Sequence, residues 1–240
     1  MKFAWLIWSI LILGLWGLVY WRKPDFRKEM LQISWVTMFF GLTEPLFVPE
    51  YWAPPSLFDL ANKTGFDIES LLFSFAIGGL GVVLYRLVYP MSISPMIDSD
   101  KLHGRHQLHR IILFLPAAIF TVLLVFTSLN PIYSGVIALF LGAVATLYCR
   151  PDLKAKIWIG GLLFTGLYFV YFGSLLLVFP SYVDAYWNLA DLTGIKLAGI
   201  PMEELMFAFS FGMYWSGLYE HVYWYTLNPK EIANGQSVSI

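Results

Sequence analysis

Seven apolar runs divide this chain: 3–20, 31–48, 69–89, 111–128, 132–148, 157–178 and 202–225. Each approaches the roughly 20 residues that a helix needs to cross about 30 Å of hydrocarbon. In lipid, backbone polar groups must be satisfied inside the protein, which leaves only helices or closed barrels as spanning elements. Runs this long and continuous select helices. Composition agrees: 58% hydrophobic and 13% charged residues place the 240-residue chain among polytopic membrane proteins. Polar residues interrupt the second and last runs. The first follows Met1-Lys2 with no small-residue cleavage site, so it reads as a retained span, not a signal peptide.

Loop charges set an expected orientation. Arg22, Lys23, Arg27 and Lys28 follow the first run, and Arg86, Lys101, Arg105 and Arg110 follow the third. Arg150, Lys154 and Lys156 lie between the fifth and sixth, and Lys230 lies in the tail. Only Lys2, Lys63 and Lys196 of the 15 basic residues fall on the other side. Basic loops stay cytoplasmic, so the expectation is a multi-pass protein of the cell membrane, N-terminus outside and C-terminus inside. A net charge of −1 and no long basic tract give no reason to expect nucleic acid as a partner. One cysteine, Cys149, excludes an internal disulfide and cannot form a thiolate metal cluster alone. His103, His106 and His109 recur every third residue, and steps of three drift by about 60° around a helix. They could bind metal, but the drift favours a basic, headgroup-facing segment, and no metal, nucleotide or other cofactor site is expected.

The chain also resembles itself. Arg22-Lys23-Pro24-Asp25-Phe26-Arg27-Lys28 is echoed by Arg150-Pro151-Asp152-Leu153-Lys154, Phe40-Gly41 by Phe172-Gly173, and Tyr51-Trp52 by Tyr186-Trp187. Glu69 and Glu203 follow those tryptophans at nearly equal distance. Phe73 and Phe207, then Tyr85 and Tyr219, follow the glutamates at equal spacing. The expected fold is therefore all-α: seven transmembrane helices as two parallel three-helix repeats joined by a linker helix. The repeats are 1–90 and 132–227, with a basic cytoplasmic loop and linker helix at 91–131 and a polar tail at 228–240. Parallel repeats are related by an axis along the membrane normal, and sites tend to form where they meet.

Acidic residues stand where an apolar run should avoid them. Pro201-Met202-Glu203-Glu204 opens the last run, with Pro201 suited to the first helical position. The helix dipole favours a carboxylate in that first turn, whereas burial favours the protonated acid. Either way the pair is a candidate for general acid or base work. Neighbouring helix residues sit about 100° apart, so the two need not share a target. Glu69 is placed similarly in the first copy. Glu44, before Pro45, has no acidic counterpart in the second copy. Trp52, Tyr186 and Trp187 sit in proline-rich outer segments that can anchor at the headgroups or cap a cavity.

Pro-x-Glu-Glu at a helix start, preceded by a Tyr-Trp loop and duplicated, resembles the lycopene cyclase domain family. That family is membrane-embedded and cofactor-free, and the whole chain is similar to its fused two-copy form. In the first copy Asp67 replaces the proline and Ser70 the second acid. The resemblance implies a redox-neutral isomerisation, in which an acid protonates a terminal alkene, a neighbouring double bond closes the ring, and a base removes a proton. It implies Glu203 and Glu204 as acid candidates and Glu69 as opposing base or electrostatic stabiliser. Trp52, Tyr186, Trp187, Phe73, Phe207 and Glu44 would meet the substrate, with aromatic faces stabilising the cation. The implied partners are an apolar polyene such as a carotenoid, membrane lipid, and a second copy or another carotenoid-pathway enzyme. Two other readings stay open: a proton-coupled small-molecule transporter, and a non-catalytic carotenoid-binding membrane subunit.

Overall fold

The computed structural model describes residues 1–229. Lys230 and the rest of the expected tail lie outside the described residues. Asn228 and Pro229, expected in that tail, instead end a strand. The helices are α1 (Ala4–Arg22), α2 (Arg27–Met38), α3 (Leu60–Thr64), α4 (Ile68–Val88), α5 (Asp98–Lys101) and α6 (His109–Phe126). They continue with α7 (Pro131–Cys149), α8 (Lys154–Val178), α9 (Tyr182–Tyr186), α10 (Met202–Ser216) and α11 (Leu218–Tyr223). Short strands are β1 (Met91–Pro95), β2 (Lys196–Leu197), β3 (Ile200–Pro201) and β4 (Tyr225–Pro229).

Among the described residues, five helices are long and apolar enough to cross a membrane: α1, α4, α6, α7 and α8. Outward-facing side chains such as Phe114 and Val125 on α6 and Leu162, Val170 and Leu177 on α8 suit contact with lipid. The two interrupted runs behave differently. The second is α2 followed by a 3-10 stretch, Phe39–Leu46. Pro45 lacks the N–H that an α-helix would need there. Gly41 lets this stretch press onto α4, since a Cβ on it would meet the Ser70 carbonyl oxygen at 2.8 Å. The last run breaks at Gly217 into α10 and α11.

The core forms where α10 packs on α8, α7 and α4. α8 and α10 cross at small residues: a Cβ on Gly212 would lie 2.5 Å from the Phe164 Cβ and 2.9 Å from the Gly160 carbonyl oxygen. Such residues let helix backbones approach closely. At the end opposite Glu69 and Glu203, two ion pairs are buried. Arg86 meets Glu29 at 2.5 Å, and Lys156 meets Glu220 at 2.6 Å. Arg86 and Lys156 are thus interior residues, not headgroup charges. The order of acid and base along the chain is reversed between the two pairs. The basic histidine segment is also split. His103 is exposed, whereas the turn Gly104–His106 and the start of α6 bury His106 and His109.

β1 pairs antiparallel with β4, with Ile93 opposite Leu227. On the other side of the helices, Trp52 and Trp187 form an antiparallel bridge. The Ala53 amide donates to the Tyr186 carbonyl at 2.8 Å, and the Asn188 amide donates to the Tyr51 carbonyl at 2.9 Å. The two Tyr-Trp segments therefore clasp each other.

Removing one member of a buried pair leaves an uncompensated charge, which costs about 3–5 kcal/mol. Lys156→Ala should lower the thermal unfolding midpoint of the detergent-solubilised protein accordingly. The double change Lys156→Glu with Glu220→Arg adopts the polarity of Glu29 and Arg86 and should restore most of the loss.

Candidate active site

α10 enters through β3, whose Ile200 and Pro201 pair with Leu197 and Lys196. Pro201 is the residue before the helix, one position earlier than sequence suggests, and Glu203 and Glu204 occupy the first turn. Both are buried, and they diverge.

Glu204 points between the two halves of the chain. The Tyr51 hydroxyl donates to its Oε1 at 2.5 Å, the Tyr168 hydroxyl to its Oε2 at 2.5 Å, and the Trp187 indole N–H to its Oε1 at 3.0 Å. The two phenol contacts fall in the range of charge-assisted O–H···O⁻ bonds, roughly 2.5–2.7 Å. The donors come from three places: the outer segment of the first half, the middle of α8, and the outer segment after α9. Around them stand aromatic rings. Trp52 lies 5.1 Å from Trp187 and 4.9 Å from Trp5 between ring centroids; Trp5 lies 5.1 Å from Phe73, and Phe172 lies 5.5 Å from Trp187.

Glu203 faces its own outer segment. Its Oε1 accepts from the Tyr133 hydroxyl at 2.7 Å, the Thr193 amide at 2.8 Å and the Thr193 hydroxyl at 2.7 Å. Its Oε2 is buried with no hydrogen-bond partner. Glu69 repeats the pattern in the first half: Oε1 accepts from the Leu57 amide at 2.7 Å, and Oε2 is buried without a partner. Glu69 and Glu203 are thus each bound to their own loop. Glu204 is the acid that takes a hydrogen bond from across the halves.

Where the second half has Glu204, the first has Ser70, and Glu44 fills the gap. In a 3-10 helix, side chains three apart eclipse. Gly41 rests on Ser70, so Glu44 falls on the same face. Its carboxylate lies beside the Ser70 hydroxyl and the Trp52 indole, near Asp67. Asp67 caps α4 by accepting from the Ser70 amide. Burial pushes the Asp67 carboxyl above its ordinary value, against the effect of that bond. Glu44 Oε1, Asp67 Oδ2, Ser70 Oγ and Trp5 Nε1 are all buried without partners.

Of the expected substrate contacts, Trp52, Trp187 and Phe73 gather around Glu204, and Glu44 lies on the Trp52 side. Tyr186 packs on Tyr182 at 4.8 Å and Phe207 on Phe211 at 5.7 Å. Sequence reasoning missed Tyr133, Tyr168 and Thr193. Tyr133 follows the Asn130-Pro131 helix start by one turn, as Glu203 follows its own start, which is a usable signal. Tyr168 stands inside a long apolar run with none. A groove of about 400 Å³ between α7 and α10 is lined by Val136, Phe140, Met206 and Phe209 among others. Tyr133, Val136 and Phe140 share one face of α7, and Glu203, Met206 and Ser210 share one face of α10. The groove therefore begins about one turn below the Tyr133–Glu203 contact.

Tyr168→Phe leaves Glu204 Oε2 without its donor. Losing a hydrogen bond to a charged group costs about 1.5–3 kcal/mol, and a thermal melt of the variant should show a drop of that size.

Residues 130–222 match the family model for lycopene cyclase. No curated protein and no solved structure matches the chain. The matched segment runs from the Asn130 cap into α11. It holds Tyr133, Tyr168, Trp187, Thr193, Glu203 and Glu204, while Glu44, Tyr51, Trp52 and Glu69 precede it. The segment similar to the lycopene cyclase family, residues 130–222, carries the acid pair and most of its hydrogen-bond donors.

Proposed function

We propose that the chain is an integral membrane carotenoid-type cyclase that takes an apolar polyene laterally from the bilayer and closes its acyclic end to a ring. The observation that carries this reading is buried Glu203, with one carboxylate oxygen unpartnered, about one helical turn from the apolar α7–α10 groove and inside the family-matched segment. An elongated apolar substrate suits a groove open to lipid. A single reacting end suits a site at the groove's head.

The reaction is an isomerisation, so the proton given must be returned. Glu203 is the proposed donor. Its Oε1 is saturated by three hydrogen bonds, and its unpartnered Oε2 is the oxygen free to carry a transferable proton. Protonation of the terminal alkene leaves a carbocation, the neighbouring double bond attacks it, and loss of a ring proton completes the ring. A helix N-terminus disfavours a nearby cation. Glu204, close enough to Glu203 for their charges to interact, supplies the opposing negative charge, and aromatic faces add cation–π attraction. Glu69, held in the same manner in the first half, is the proposed second proton-transfer group.

Two halves related by an axis along the membrane normal are part of the same proposal, with seven crossings in all. Ile93 follows Tyr85 by the same interval as Leu227 follows Tyr219, and these two residues pair with each other. Trp52 and Trp187, matched in sequence, also pair. Equivalent residues meet in antiparallel fashion only where a two-fold axis passes between them. The opposite polarity of the Glu29–Arg86 and Lys156–Glu220 pairs fits two copies that diverged together. The 20 residues of 27–46 and the broken α10–α11 helix would supply the two further crossings. Basic loops put the N-terminus outside and the acids toward the outer face.

A proton-coupled carrier would need ionisable groups near the midplane. α4 has no charged residue between Glu69 and Arg86, and α10 with α11 has none between Glu204 and Glu220. The rival favoured by Ser70 is a carotenoid-binding subunit without catalysis. Expression in a lycopene-accumulating host separates them: cyclised pigment is expected, detected by chromatography and absorption. General acid–base groups contribute about 10²–10⁴ in rate. Glu203→Gln should therefore cut product at least about 100-fold without loss of inserted protein, whereas Glu50→Gln, at an exposed position, should leave it unchanged. Unaltered lycopene beside well-inserted wild-type protein would exclude lycopene as substrate.

A further inference from the structure

At the end of the bundle opposite Glu203, three buried side chains from separate elements meet. His106 closes the 3-10 turn Gly104–His106, His109 opens α6, and Cys149 ends α7. His106 Nδ1 lies 3.3 Å from Cys149 Sγ, and His109 Nδ1 lies 3.6 Å from the same sulfur. All three ligand atoms are within 4.8 Å of one another. A tetrahedral zinc has Zn–S near 2.3 Å and Zn–N near 2.0–2.1 Å, which sets adjacent N···S edges at about 3.5–3.6 Å. Both observed N···S distances lie within about 0.3 Å of that value.

The surroundings hold these groups in place. Trp224 stacks on His109 with 3.9 Å between centroids and stands edge-on to His106 at 5.1 Å. It does so from a left-handed backbone, φ 57°, that a bulky residue rarely adopts. The Met96 amide donates to the Trp224 carbonyl at 2.7 Å, which fixes that turn. Arg150, next to Cys149, donates to the Glu220 and Tyr225 carbonyls at 2.8 and 2.6 Å. His221 packs edge-on against His109 at 4.3 Å, and its Nε2 is buried with no partner. An unsatisfied imidazole nitrogen beside a His–His–Cys cluster is an independent sign that a ligand belongs there.

We propose that His106 Nδ1, His109 Nδ1 and Cys149 Sγ bind a divalent metal ion of the zinc class, with His221 bordering the site. Two imidazoles and one thiolate form the borderline-soft set that zinc prefers. The ion would pin the loop before α6 to the end of α7 and to the segment around Trp224. It is remote from the acid pair, so its role is structural and independent of the cyclase reading. Binding displaces the proton of the thiol. The competing arrangement is an imidazole–thiol hydrogen-bond network, with Arg105 Nε donating to His106 Nε2 at 3.5 Å.

The full chain, purified with a tag free of histidine, should contain about one zinc per molecule. After chelation, Co²⁺ alone should produce a thiolate-to-cobalt charge-transfer band and the intense visible bands of a tetrahedral site. Cys149→Ser should abolish the charge-transfer band, and His109→Ala should weaken Co²⁺ binding by at least about tenfold. His103→Ala, at an exposed position, should leave both unchanged. Wild-type protein without stoichiometric metal and without the charge-transfer band overturns the proposal, whether or not the variants fold. A cobalt spectrum that survives Cys149→Ser overturns this ligand set.

Discussion

A carboxylate removed from water must be matched by donors, and Glu204 is matched by groups from both halves of the chain. Tyr51 reaches it from one half, Tyr168 and Trp187 from the other. An isolated buried carboxylate would face a desolvation penalty of several kcal/mol, so the halves are bound together by the need to satisfy it. The Tyr-Trp clasp, the Trp52–Trp187 bridge and the aromatic rings around them follow from that need. Glu69 and Glu203 apply the same principle locally. Each secures an outer segment through one oxygen and keeps the other in reserve.

The opposite end of the bundle uses a different device. Two ion pairs sit where α2 meets α4 and where α8 meets α11, beyond the apolar middle of the bundle. Their polarity is reversed between halves. A pair with mismatched partners, Glu29 with Glu220 or Arg86 with Lys156, would put like charges together. Both ends join the halves, one through Glu204 and the Tyr-Trp clasp, the other through the β1–β4 ribbon.

The long apolar runs made five spans legible, because length and composition are enough to define them. The two interrupted runs were harder: Gly41 and Pro45 turn one into a 3-10 helix, and Gly217 divides the other. Position of the acids was legible from Pro-x-Glu-Glu, and their divergence from the 100° step between neighbours. Tyr168 was not, since one tyrosine in an aromatic-rich helix carries no periodic signal. Lys156 and Arg86 count as loop charges in the sequence, which cannot tell a loop-facing residue from one aimed back into the bundle. His106, His109 and Cys149 were read apart, since the ligands come from three elements that only folding brings together.

The Ile93–Leu227 pairing has a geometric consequence. It is the middle rung of a ribbon, flanked by Ser92–Asn228 and Ser94–Thr226, that ties the segment after α4 to the segment after α11. A change at that rung is therefore felt by both segments at once.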